Sequence, residues 1–261
     1  MKHRIQKYLD LINNRGLCII RNIFSAKDCS KIVEQLETIY LKRLNKKEST
    51  GSNGNQCIYN YFCEKNNLIK LIDISIIDEI LKKLLDENYV LQSTNAQNRR
   101  LEIDPYKKSK NNFKIGDGWH IDSRVINKKK KISFGIGYLV IIALEDFKRD
   151  NSSTKFIPNS FKSKAIPKKD GSYKFRKLIM KKGSICIMDT STWHKGGEPS
   201  KNSRWSIFSI YTPWFFKPYF NYKKLTTGMK SLTINQKKLL HFFSDPPSSH
   251  NQRINTIIKN N

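Results

Sequence analysis

The apolar positions of the first 45 residues fall at helical and strand spacings in turn. The segment YLDLINNRG ends at Gly16 and predicts a short helix, and LCIIRNIF after it is an apolar run of strand length. Ser25 stands where an N-cap belongs, ahead of AKDCSKIVEQLETIYLKRL, in which Ile32, Leu36, Ile39 and Leu44 recur at near-helical spacing. Residues 46–56 are polar and glycine-containing, which predicts a loop, and residues 67–87, rich in Leu and Ile, predict a second helical region. From residue 89 the texture changes to short apolar segments separated by Gly, Pro, Asn and Lys clusters. These are YVLQSTNAQNRRLEID, WHIDSRVI, ISFGIGYLVIIALED, STKFIP, SICIMDTSTWH and RWSIFSIYTPW. No helix of useful length lies between them, so the pattern predicts a β sandwich or barrel rather than a parallel βαβ sheet. The tail holds one more helical stretch, TINQKKLLHFF. The expectation is one domain over residues 1–261: a helical part at 1–88, a β core at 89–219 and a tail at 220–261.

Composition narrows the class. A hydrophobic content of 38% in 261 residues can bury a sizeable core. There is no apolar run of membrane-spanning length, and MKHRIQKYLDLI lacks the apolar stretch of a secretory signal, so no membrane role is expected. The five cysteines are odd in number, scattered and without a CxxC pair, a usage that fits a reduced cytoplasmic protein. The net charge of +27 could mark a polyanion partner. Lysine dominates the cations and is spread along the chain, while arginine, the better fork for phosphate, is sparse. Compositional drift is the favoured explanation, and nucleic acid is not the expected partner.

Candidate chemistry begins at GDGWHIDSR. On a strand, His120 and Asp122 would point to one face and could reach one ion. Taken alone the pair is weak, because a polar pair at a strand end is the commoner meaning of such a spacing. His194, in DTSTWHKGG after the apolar segment SICIMD, changes the balance. Two imidazoles and one carboxylate form the facial triad of non-haem Fe(II) oxygenases, and the lack of a thiolate argues against structural zinc. Arg204, ten residues after His194, opens the segment RWSIFSIY, with Ser206 on the same face. A buried guanidinium there would bind a carboxylate in two places; a surface arginine at a strand start is the alternative.

These segments resemble the phytanoyl-CoA dioxygenase-like (PhyH) branch of the Fe(II)/2-oxoglutarate-dependent oxygenases. The resemblance runs over most of the chain. NRGLCIIRNIFSAKDCSKIVEQL is similar to the family's opening strand and capped helix, and GDGWHIDSR to its first metal motif. ALEDFKRDNSSTKFIPNSFKSK is similar to the segment between the metal motifs, and KKGSICIMDTSTWHKGGEPSKNSRWSIFSIYTPW to the second metal motif and co-substrate strand. The resemblance implies a double-stranded β-helix, or jelly-roll, that encloses a ligand cavity. It implies Fe(II) held by His120, Asp122 and His194, with O2 as oxidant. It further implies 2-oxoglutarate as co-substrate, paired with Arg204 and assisted by Ser206, with Tyr138, Asn98 and Arg100 as further contacts.

Two departures matter. Gly196 stands where relatives often carry a small hydroxyl residue, and four lysines, Lys128 to Lys131, fill the stretch after the first motif. Asp122 is retained, whereas related halogenases replace it to admit chloride, so hydroxylation or desaturation is implied. Arg124 would share a face with His120 and Asp122 and suggests a small anionic substrate. Two alternatives stay open at this point: a nucleic-acid-directed oxygenase of the same chemistry, and a non-catalytic, polyanion-binding jelly-roll with a degenerate site.

Overall fold

A computed structural model describes residues 2–46, 48, 51–52, 55–64, 66–100, 118–122, 136–202, 204–229, 231–246 and 248–254. Helix α1 (Lys2–Arg15) buries Ile5 and Ile12, and ends where Gly16, at φ +79°, turns its N–H back to the Ile12 carbonyl at 2.8 Å. Only glycine enters that left-handed region without cost. Strand β1 (Leu17–Ile20) follows directly. The Ser25 hydroxyl accepts from the Asp28 N–H at 3.1 Å and so caps α2 (Ala26–Asn45). Cys29, Ile32, Leu36 and Ile39 form the buried stripe of that helix.

The expected loop at 46–56 is instead partly strand. Strands β2 (Gly51–Ser52) and β3 (Asn55–Tyr59) pair with each other, and β3 pairs with the next strand. Asn55 and Gln56 are polar yet buried, so the alternation that reveals a half-exposed strand is missing. The second helical region divides into a 3-10 segment, Asn66–Ile72, and helix α3 (Ser75–Leu85), which buries Ile77, Ile80 and Leu81.

The remaining strands are β4 (Val90–Asn98), β5 (Tyr138–Ala143), β6 (Lys155–Phe156), β7 (Arg176–Lys177), β8 (Ile185–Asp189), β9 (His194–Lys195) and β10 (Trp205–Thr212). Two short helices, α4 (Tyr222–Leu225) and α5 (Ile234–Leu239), follow them. Seven strands form one antiparallel sheet in the order β1-β8-β5-β10-β4-β3-β2, and a small sheet, β7-β6-β9, faces it. The residues before 89 therefore supply three strands of the large sheet as well as helices.

Alternation along the strands sorts the core into two. Tyr138, Val140, Ile142, Ile185, Ile187, Trp205, Ile207 and Tyr211 face α1, α2 and α3. Leu139, Ile141, Ala143, Cys186 and Met188 face the other way, with Phe208 and Ile210 packed beside them, and meet Phe147, Leu178 and Met180 in the lumen between the sheets. This is the double-stranded β-helix, with a lumen apolar at its β5–β8 end. Each buried Ile or Leu contributes about 1.5–3 kcal/mol.

Gly183 locks the start of β8 to the β1–α2 connection. Its φ is +80°, its carbonyl accepts from the N–H groups of Ile23 and Phe24, and an added Cβ would lie 2.1 Å from the Phe24 carbonyl oxygen. Gly183→Ala is expected to cost at least about 2 kcal/mol, a fall in Tm of about 4–8 °C in a melt followed by circular dichroism.

Candidate active site

Three polar side chains converge at one end of the lumen. His120 and His194 face each other across an antiparallel bridge, each backbone N–H donating to the other's carbonyl at 3.0 Å. The Asp122 N–H donates to the Thr190 carbonyl at 2.9 Å. Main-chain bonds thus fix all three positions; among the described residues of WHIDSRVI, His120 lies in an isolated bridge, and residues 123–126 lie outside the described ones. The turn that precedes His194 is itself held, since the Thr190 hydroxyl and N–H both donate to the Gly137 carbonyl.

Each ring is oriented from behind. His120 Nδ1 lies 3.0 Å from the Gly118 carbonyl and His194 Nδ1 lies 2.8 Å from that of Thr192, so each Nδ1–H donates and each Nε2 keeps its lone pair. The Nε2 atoms stand 3.9 and 3.4 Å from the two oxygens of Asp122, and one ligand atom from each residue lies within 4.8 Å of the others. Burial and the neighbouring His194 lower the His120 pKa. His194 is also pulled down by burial, but the Asp122 charge outweighs this and raises it. Burial alone would raise Asp122, yet the two imidazoles hold it below the usual carboxylate range. Neutral nitrogen donors beside an ionised carboxylate, all on one side, are a donor set that fits Fe(II) and leaves room for further ligands.

Arg204 lies deeper in the lumen and is 1% exposed. Its Nη1 donates to Ser206 Oγ at 3.1 Å, its guanidinium sits 4.1 Å from the centroid of the Phe147 ring, and its Nε has no partner. Burial, then the charge of Arg99, pull its pKa down to about 9, with Glu145 opposing. A buried guanidinium with an unpartnered Nε, against the apolar end of the lumen, is suited to receive a carboxylate.

Asn98 spends its Oδ1 on the Arg204 backbone N–H at 2.9 Å and stands opposite Trp205, on the helix side of the sheet. Arg100 bridges to Ser200 at the sheet margin. Tyr138 belongs to the helix-side core, because the parity of β5 sends Leu139 into the lumen instead. Tyr138 and Asn98, expected beside the co-substrate, thus lie on the helix side of the sheet, whereas Arg204 and Ser206 face the lumen. Arg124 and Lys128 to Lys131 lie outside the described residues.

Arg99 is the residue that sequence reasoning missed. It is 3% exposed, donates from Nη1 to the Gly197 carbonyl at 2.7 Å, and its charge acts on both His120 and Arg204. It therefore links the two halves of the site. Gly196 makes room for it, since a Cβ there would lie 2.4 Å from the Arg99 Cζ. The small hydroxyl residue of relatives is replaced by space for a guanidinium. Tyr59 was missed too: it lies on the lumen face of β3, and burial, with the charge of Asp122 among its neighbours, raises its pKa. The RR doublet held the signal for Arg99, but only the strand register shows which arginine turns inward.

Among curated proteins, none matches the chain. Solved structures share the fold at low identity. HygX from Streptomyces hygroscopicus, solved with nickel, 2-oxoglutarate and hygromycin B, superposes with a TM-score of 0.61 at 11% identity over 82% of this chain and 90% of its own. The epimerase SnoN, solved with Fe3+, alpha-ketoglutarate and nogalamycin RO, gives 0.59 at 11% over 84% and 88%. The carbocyclase SnoK of nogalamycin biosynthesis gives 0.58 at 12% over 85% and 90%. A sequence model described as phytanoyl-CoA dioxygenase (PhyH) matches residues 12–205, well over half of the chain. With the facial triad of His120, Asp122 and His194 in place, the chain belongs to the phytanoyl-CoA dioxygenase (PhyH) family of Fe(II)/2-oxoglutarate-dependent oxygenases.

Proposed function

We propose that the protein hydroxylates an unactivated C–H bond of a small molecule while 2-oxoglutarate is converted to succinate and CO2. One oxygen atom of O2 enters the substrate and the other enters succinate. The observation that carries this reading is the retained Asp122 carboxylate on one side of the two Nε2 atoms, in the same lumen as a buried guanidinium whose Nε has no partner. Fe(II) at the triad would supply the activation of O2. The protein's own residues orient and exclude. The Gly118 and Thr192 carbonyls hold the imidazoles as Nε2 donors. Arg204 and Ser206 would grip the far carboxylate of the keto acid, and Arg99 would balance charge between that grip and the triad. The apolar lumen around Phe147 and Met188 keeps water away from the reacting centre.

SnoN and SnoK are named an epimerase and a carbocyclase, so the fold carries outcomes other than hydroxylation. Product analysis under isotopically heavy O2 separates them. Hydroxylation predicts one labelled oxygen in the product and one in succinate, and a product with no added oxygen contradicts it. The anionic substrate expected from Arg124 and the lysines after it rests on residues outside the described ones. A degenerate, non-catalytic jelly-roll is disfavoured by the intact triad. No helix among the described residues is long and apolar enough to cross a membrane. The five free thiols are the usage on which the proposal of a cytoplasmic setting rests.

A further inference from the structure

The pairing of β10 with β4 slips by one residue beside the metal site. Ile210 pairs with Ser93 but Tyr211 pairs with Leu91, so Gln92 is the extra residue of a β-bulge. A bulge re-aims a side chain, and here it sends Gln92 into a narrow cleft with Asp122, Thr190, Thr212, Ile136, Ile210 and Phe216. Gln92 is 1% and Thr212 4% exposed, and neither Gln92 Nε2 nor Thr212 Oγ1 has a hydrogen-bond partner. As folded, the cleft is closed to a water-sized sphere. A buried polar group left without a partner destabilises the fold, so both atoms gain from a hydrogen-bonding partner. Both groups share this cleft with the Asp122 carboxylate.

We propose that Gln92 and Thr212 form the subsite that orients the substrate, and that it takes a hydroxyl group of a neutral, hydroxyl-bearing ring such as a glycoside. The inference rests on the proposed hydroxylase reading and names its substrate class. The chemistry of the cleft selects the group. Gln92 Nε2 only donates, whereas the Thr212 hydroxyl also accepts, so a substrate hydroxyl can accept from one and donate to the other. An ammonium cannot accept from Nε2. A carboxylate would meet the Asp122 charge in the same cleft. The neighbouring wall adds uncharged groups: Asn95 and Gln97 on β4, and Tyr59 opposite Asn95 on β3, share the lumen face with Phe208, while Arg99 at the end of that row is tied to the Gly197 carbonyl. Gln97 and Asn95 are already linked at 2.8 Å and present a hydrogen-bonding surface without charge. Phe216 forms the apolar side of the cleft, against which the C–H face of a ring packs. Phe216 is half-buried in a segment whose Trp214, Phe215 and Tyr219 are exposed, and admission of a ring requires Phe216 to swing outward.

The test uses the full chain loaded anaerobically with Fe(II) and 2-oxoglutarate, titrated with a panel of phenyl glycosides, the matching phenyl uronides and the matching amino-sugar glycosides. Binding is followed by tryptophan fluorescence. Saturable binding of a neutral glycoside is expected, at least about tenfold tighter than its uronide or amino counterpart. Gln92→Leu and Thr212→Val should each weaken that binding at least about tenfold and at the same time raise Tm, because a buried unpaired group is removed. A purely structural role would lower Tm instead. Equal or tighter binding of charged sugars, binding of no panel member, or unchanged binding by both variants overturns the proposal. Iron content and the visible absorption of the iron–keto-acid chelate, read in the same samples, separate the two readings. Their absence means that the oxygenase reading fails, and their presence without glycoside binding means that only this inference fails.

Discussion

An Asp122→Ala chain is expected to lose bound iron and 2-oxoglutarate turnover together, by more than about 100-fold in each. Changes to residues that merely orient metal ligands cost about 10–100-fold, so loss of a ligand itself should exceed that range. The structure gives a reason for the joint loss. Asp122 is the only charged ligand, and it holds the two Nε2 atoms at 3.9 and 3.4 Å around one point. Without it, two neutral imidazoles whose rings are 4.3 Å apart remain, a pair that gives a weak divalent site. The fold should survive, because the Asp122 contact with β8's end runs through its backbone N–H. Elemental analysis after anaerobic reconstitution, with a keto-acid consumption assay, reads both losses. Retained iron with lost turnover would remove Asp122 from the ligand set.

Arg204→Met is expected to separate stability from co-substrate binding. The guanidinium is buried beside Arg99 with an unpartnered Nε, so an unbranched apolar side chain of similar length should leave the keto-acid-free protein as stable or more stable. Binding of 2-oxoglutarate should weaken by about 2–5 kcal/mol, about 30-fold or more, since one partner of a buried charge pair is gone. Arg204→Lys keeps the charge but not the fork and should fall between the two. Thermal melts with and without 2-oxoglutarate check this, because the ligand raises Tm only in so far as it binds. A variant with undiminished stabilisation by 2-oxoglutarate would show that Arg204 is not the anchor.

The metal ligands were legible because chemistry and spacing agree there. A two-residue interval in GDGWHIDSR and one histidine after an apolar strand leave few competitors, and His241, for one, spends its Nε2 on the Leu91 carbonyl. What the sequence hides is parity. Asn98, Arg99 and Arg100 are equivalent in a string of letters, and only the register that sets Trp205 opposite Asn98 turns Arg99 inward. Tyr138 is a second case of parity, one residue out of phase with the lumen-facing Leu139. Strand β3 was invisible because Asn55 and Gln56 are polar residues at buried positions. The bulge at Gln92 is likewise a property of two strands together, written in neither alone.

Iron-edge anomalous diffraction from crystals grown anaerobically with Fe(II) and 2-oxoglutarate tests the central claim most directly. The account predicts one anomalous peak bounded by His120 Nε2, an Asp122 oxygen and His194 Nε2, with density for the keto acid reaching from it to Arg204. A peak elsewhere, or a keto acid whose far carboxylate lies away from Arg204, would contradict it.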